Sequence, residues 1–225
     1  MKTTSKCFAA LILAVLSVSF ASTALAKDKK EKERKEPFAK QGLFLELAVG
    51  SVEGGKDFDG ERFVTGGGSS EVMPDFDGTG YRVSFGRQYR NLDWEGNVEI
   101  AEMDGPWMGF PMEGRRTALN FDFRKYWLNR VRPFVLFGLG LQHMKVDDGS
   151  TDLVIVEDAT FKGGGFRFGG GVQVPLRPRW SLMFQTVYRW EGYGDVSGVV
   201  SGEIESRVSG RGLSSTAGMR FVFGK

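Results

Sequence analysis

The stretch NLDWEGNVEIA, residues 91–101, alternates with period two. Leu92, Trp94, Val98 and Ile100 fall on one face of an extended chain, and Asp93, Glu95, Asn97 and Glu99 on the other. In a soluble sheet the apolar face would meet a core and the charged face water. The same pattern also suits an inverted arrangement, with the charged face enclosed and the apolar face in lipid. Periodicity within one strand does not separate the two, so the rest of the chain must decide.

Seven further segments repeat the pattern. Leu43, Leu45, Leu47 and Val49 alternate with Phe44, Glu46 and Ala48. Tyr81, Val83 and Phe85 alternate with Arg82 and Ser84. Thr117, Leu119, Phe121 and Phe123 alternate with Ala118, Asn120, Asp122 and Arg124. Val135, Phe137, Leu139 and Leu141 alternate with Leu136, Gly138, Gly140 and Gln142. Phe166, Phe168, Val172 and Val174 alternate with Arg167, Gly169, Gly171 and Gln173, and Leu182, Phe184, Thr186 and Tyr188 alternate with Met183, Gln185, Val187 and Arg189. Leu213, Ala217, Met219, Phe221 and Phe223 alternate with Ser214, Thr216, Gly218, Arg220 and Val222. Most segments approach the ~10 residues that a tilted membrane strand requires.

The connections are lopsided. Three are short, around Arg90 and Asn91, across WLNRVRP and across PLRPR. Four are expected to be long, over residues 51–80, 102–116, 145–165 and 191–211. Short turns at one end and long loops at the other are a property of membrane barrels. Aromatic placement agrees. Tyr89, Trp94, Tyr126, Trp127 and Trp180 are expected in a belt at the short-turn end, and Tyr81, Tyr188 and Trp190 in a belt at the long-loop end. The expected fold is therefore all-β, an eight-stranded antiparallel transmembrane up-and-down β-barrel over residues 42–225. In that barrel the charged side of the opening stretch faces the lumen.

The ends fit an exported protein. Lys2 and Lys6 precede an apolar run that closes on Ala24, Leu25 and Ala26, the pattern of a cleaved signal peptide over residues 1–26. Residues 27–41 open with KDKKEKERKE and read as a charged periplasmic tail. The chain has 30 basic and 28 acidic residues, and cleavage removes Lys2 and Lys6, leaving a formally neutral protein. Its one cysteine, Cys7, leaves with the signal peptide, so no disulfide holds the fold. No basic cluster in the body suggests nucleic acid.

With these features in place, the chain resembles the OmpA/OmpX-type small outer-membrane barrels of Gram-negative bacteria. RPFVLFGLGLQ and FRFGGGVQVPLRPRWSLMFQTVYRW resemble the paired late hairpins of that family. Thr216, Gly218, Phe221 and Phe223 resemble its terminal assembly signal, although Gly224 and Lys225 follow the last aromatic here. The resemblance implies an outer-membrane location and recognition by the barrel-assembly machinery and periplasmic chaperones. It also implies contact with outer-membrane lipids and lipopolysaccharide. A monomer is expected.

Strand parity assigns to the lumen Glu46, Asp93, Glu95, Glu99 and Asp122, with Arg82, Arg124, Arg167, Arg189 and Arg220. Arginine pairs with carboxylates in a bidentate manner, which suits a crowded interior. An eight-stranded barrel is just wide enough for side chains to fill. The charges are expected to form an ion-paired plug, with Glu46 beside Arg220 and Glu95 or Asp93 beside Arg124. The resulting role is structural or surface-interacting, with a small porin-like channel as the alternative.

A lipid A-modifying enzyme is the third class. Lipid A deacylases of this size use a lipid-facing His-x-Ser pair. His143 is the only histidine, and Lys145 stands where the serine would be, so no catalytic residue is expected. The long connections are acidic. DFDG occurs twice, at residues 57–60 and 75–78, and VDDGSTD opens the third connection. Neither reaches a D-x-D-x-D-G spacing, and ordinary turn chemistry accounts for both. No metal or cofactor is expected. The short turns carry Arg87, Arg90, Arg130, Arg132, Arg177 and Arg179.

Overall fold

The computed structural model describes residues 40–56, 62–64, 70–72, 76–107, 110–127, 131–146, 159–197 and 208–223. The expected signal peptide and most of the charged tail lie outside these residues. The strands are β1 (Gly42–Lys56), β2 (Arg62–Val64), β3 (Ser70–Val72), β4 (Phe76–Gln88), β5 (Leu92–Trp107), β6 (Phe110–Tyr126), β7 (Arg132–Val146), β8 (Ala159–Arg177), β9 (Trp180–Ser197) and β10 (Val208–Phe223).

Eight of them close into one barrel in the order β1-β10-β9-β8-β7-β6-β5-β4, and β1 pairs antiparallel with both β10 and β4. Each remaining barrel pairing is an antiparallel hairpin of sequence neighbours. Closure removes every free edge from the main sheet, so backbone groups are satisfied within it. β2 and β3 form a separate small hairpin within the first long connection.

Parity holds around the circle, except that Val172 on β8, expected outward with Phe166 and Phe168, is buried. Leu43, Leu45, Leu47 and Val49 are exposed while Phe44, Glu46 and Ala48 are buried. Along β5, Asp93, Glu95, Asn97 and Glu99 are at most 2% exposed, whereas Leu92 and Val98 are 40% and 43% exposed. A soluble barrel would show the reverse, because open apolar patches are normally small in a soluble monomer. Here the apolar surface is a continuous outer band.

At one end the connections are tight. Pro178 and Arg179 make a two-residue turn between the paired Arg177 and Trp180. Arg179 also accepts from the Val222 amide at 2.9 Å, and Pro178 accepts from Lys40 N at 3.0 Å, tying the segment before β1 to this rim.

At the other end the described residues of the expected long loops are strand. Residues 102–116 were expected as a loop, yet β5 runs to Trp107 and β6 resumes at Phe110, with Trp107 opposite Phe110. β4, β7, β8, β9 and β10 extend outward in the same way. The apolar alternation stops where the bilayer stops, but the hydrogen-bonded ladder continues into water with polar outward residues such as Glu102, Asp104, Glu113 and Arg115. Strands of 13 to 19 residues therefore exceed the ~10 residues a membrane needs, and the barrel wall stands beyond the bilayer.

Candidate functional site: the filled lumen

The interior is layered. On the β6–β7–β9 side of the interior is an apolar cluster of Tyr126, Phe134, Leu136, Met183 and Val187. Two glycines make room for its aromatic neighbours: a side chain on Gly171 would strike the Phe134 ring, and one on Gly86 the Phe44 ring. Arg220 then stacks its guanidinium 3.7 Å from the Phe44 ring centre.

Beside this lies the charged network, centred on Glu46. Glu46 is fully buried and accepts from three arginines on three other strands. Arg82 on β4 reaches it at 2.5 Å, Arg220 on β10 at 2.8 and 3.0 Å, and Arg124 on β6 at 3.2 Å. Arg124 also forks onto Glu95 at 2.7 and 2.8 Å and bonds Gln185 at 2.9 Å. Arg220 pairs as well with Asp93 and Gln88. One guanidinium thus links two carboxylates, and one carboxylate links three guanidinia, which locks β1, β4, β5, β6 and β10 together.

Further out, Asn97 donates to Asp122 at 2.8 Å and Arg167 lies 3.6 Å from the same carboxylate. Next, Glu99 accepts from Arg116 at 2.6 Å and from Arg189 at 3.1 Å, and Arg116 also holds Glu191 at 2.7 Å. Seven buried arginines face six buried carboxylates, so the layer is close to neutral. The outermost layer is apolar: Val52, Phe76, Ala101, Met103, Met144 and Phe161 all point inward and are buried.

All ten lumen residues expected from parity lie in this interior. The structure brings Glu46 to Arg220 and Glu95 to Arg124, and places Asp93 on Arg220 rather than Arg124. Four participants were assigned elsewhere. Arg116 and Glu191 were counted with the loops, but the extended strands carry them inside. Arg132 was counted with the short turns, yet it is buried, donating to Gln173 and to the Arg90 carbonyl at 2.7 Å each. Tyr126 was expected in an aromatic belt, yet it is 2% exposed and donates to Asp93 at 2.7 Å. Its parity with Arg124, two residues earlier, is the signal that places it inward. Tyr89, Trp127 and Trp180 are exposed at the tight-turn rim, and Tyr81 and Trp190 at the other.

In the last strand, Thr216 is buried on the inner face of β10, Gly218 packs against Ala48 of β1, and Phe221 and Phe223 face outward as an edge-to-face pair at 4.9 Å. His143 is exposed on the outer wall opposite Thr117 and Lys162. Among the described residues no group of three or more His, Cys, Asp or Glu could hold a metal ion.

No family model matches the chain, and no curated protein matches it. Solved structures do. The crystal structure of Neisserial surface protein A aligns with 81% of this chain and 97% of its own, at 16% identity and a TM-score of 0.54. The outer membrane protein AlkL, determined by solid-state NMR in DMPC lipid bilayers, aligns with 88% of this chain and 97% of its own, at 15% identity and a TM-score of 0.50. The fold is that of a small outer-membrane β-barrel. At these identities the likeness fixes the architecture of the barrel and leaves its task to the site itself.

Proposed function

We propose that this barrel resides in the outer membrane as a closed structural element that presents an acidic rim to the outside, rather than as a pore or an enzyme. One observation carries the reading: the charged lumen is cross-linked on every side and sealed outward by the apolar layer of Val52, Phe76, Met103, Met144 and Phe161. An ion entering would have to leave water, cross that apolar layer and then displace arginine–carboxylate pairs. Each of those steps is costly in a low-dielectric interior.

The rim supports the surface role. Outward residues Glu53, Asp77, Asp104 and Glu113 stand directly opposite one another across β1, β4, β5 and β6. Like charges in cross-strand register do not help a sheet, so their value lies in what they present to the medium. The exposed His143 has Lys145, not serine, two residues on, which supports a non-catalytic reading. The test is planar-bilayer recording of the refolded protein. Purified barrel should give no steady conductance steps, and reproducible steps would move the channel reading ahead.

A further inference from the structure

The wall beyond the bilayer is not uniform in charge. Hydrogen-bonded rows climb around a tilted barrel, so height is counted along each strand from its last outward apolar residue. That residue is Val49 on β1, Tyr81 on β4 and Ile100 on β5, then Leu119 on β6, Leu141 on β7 and Phe166 on β8. Two residues further out stand Ser51, Thr79, Glu102, Thr117, His143 and Gly164. Four residues out, ~13 Å along the strand, each of these six strands carries a charge. Glu53, Asp77 and Asp104 hold that position on β1, β4 and β5, and Arg115, Lys145 and Lys162 hold it on β6, β7 and β8.

One sector of the wall is thus acidic and the adjoining sector basic, at one height above the lipid band. Asp77 stands in direct register with Glu53 on one side and Asp104 on the other, so the acidic sector repels itself within a single barrel. At the seam Arg115 stands opposite Glu102. The strands at the centres of the two sectors, β4 and β7, are three strands apart around the circle. Asp77 and Lys145 therefore face in different directions and meet only across two barrels.

We propose that copies of this chain associate laterally in the membrane, with Glu53, Asp77 and Asp104 of one barrel against Arg115, Lys145 and Lys162 of its neighbour. A membrane holds every copy at one depth, so equal heights on one barrel become equal heights between two barrels. The acidic sector of one then meets the basic sector of the next without tilting either. The contact is heterologous, because each copy turns a different sector to each neighbour, and it propagates as a row or ring. A two-fold dimer would set like sectors face to face and add repulsion. This departs from the monomer expected from sequence, where the strand ends carrying these charges were counted as loops. Exposed ion pairs are individually weak, so the association is reversible and falls with salt. The inference rests on the barrel spanning a membrane, not on whether its lumen conducts.

The experiment is crosslinking between two differently tagged mature chains, which lack Cys7, refolded together in phosphatidylcholine vesicles. Cysteine at Thr79 in one chain and at His143 in the other leaves all six charges in place, since both positions lie two residues below them on the central strands. With a short bis-maleimide the T79C/H143C pairing should crosslink about tenfold more than T79C/T79C or H143C/H143C. Salt at ~1 M should bring it down to the level of the like pairings. Adding K145E/K162E to the H143C chain should abolish the preference, and adding D77K/D104K to the T79C chain should then restore it. Heat-modifiable mobility on unboiled gels shows that each variant is folded, so failure to form the barrel is distinguishable from failure to dock. Absent or equal crosslinking in the three pairings, a preference that survives K145E/K162E, or no recovery on charge exchange would each overturn the proposal. So would crosslinking that appears only once lipopolysaccharide is added, which would assign the basic sector to a lipid.

Discussion

Replacing Glu46 by glutamine is the sharpest perturbation of the lumen. The carboxylate is fully buried and neutralises three guanidinia, which do not depend on it equally. Arg124 retains a fork onto Glu95, and Arg220 retains Asp93 and Gln88. Arg82 has Glu46 as its one carboxylate partner among the described residues, and its Nε and Nη1 make no hydrogen bond there. Breaking a buried pair by removing one partner costs about 3–5 kcal/mol, because the other charge is stranded. E46Q should therefore cost about 3–5 kcal/mol. R220Q should cost less, since Glu46 keeps Arg82 and Arg124, and Asp93, which loses its guanidinium, keeps the Tyr126 hydroxyl. In a double-mutant cycle, E46Q/R82Q should fall short of the additive sum by about 2–3 kcal/mol, more than E46Q/R220Q does. The assay is reversible urea unfolding in detergent micelles or liposomes, followed by tryptophan fluorescence. Additive behaviour of Glu46 with Arg82 would refute the reasoning, as would a milder E46Q than R220Q.

In intact cells, cysteine at Glu113 should react with a membrane-impermeant thiol reagent, and cysteine at Arg179 only after the outer membrane is permeabilised. F161A removes a fully buried ring from the apolar outer layer and should destabilise the barrel by about 3–5 kcal/mol in the same unfolding assay. F168A, whose ring is 56% exposed on the lipid side, should cost markedly less. F223A should lower the yield of heat-modifiable barrel in membranes, with the missing chains degraded or left in the periplasm. Normal yield would separate this aromatic from assembly.

The wall of the barrel was readable because parity is a strict rule: each of the eight strands needed only its register of apolar and polar residues. Parity also placed Glu46 and Arg220 on the same side of neighbouring strands. What it could not give was height. Outside the bilayer the outward residues become polar, so the apolar alternation ends while pairing continues, and Arg116, Glu191, Phe76 and Phe161 were hidden in apparent loops. Tyr126 was lost for another reason. A tyrosine near a membrane rim suits an interfacial belt, but its parity with Arg124 turns it inward, where its hydroxyl reaches Asp93. Arg132 was hidden likewise, since its cation–π contact with Tyr126 at 4.4 Å depends on a ring that sequence position had placed outside.

The account stands on which face of the opening strand meets lipid. Carbene labelling from a diazirine carried on an acyl chain, applied to the unmodified protein in liposomes and read residue by residue by mass spectrometry, tests that directly. Leu92, Trp94, Val98 and Ile100 should be labelled, while Asp93, Glu95 and Glu99 remain unmodified even though carboxylates are favoured carbene targets. Labelling of those carboxylates from the lipid side, with the apolar residues spared, would contradict it.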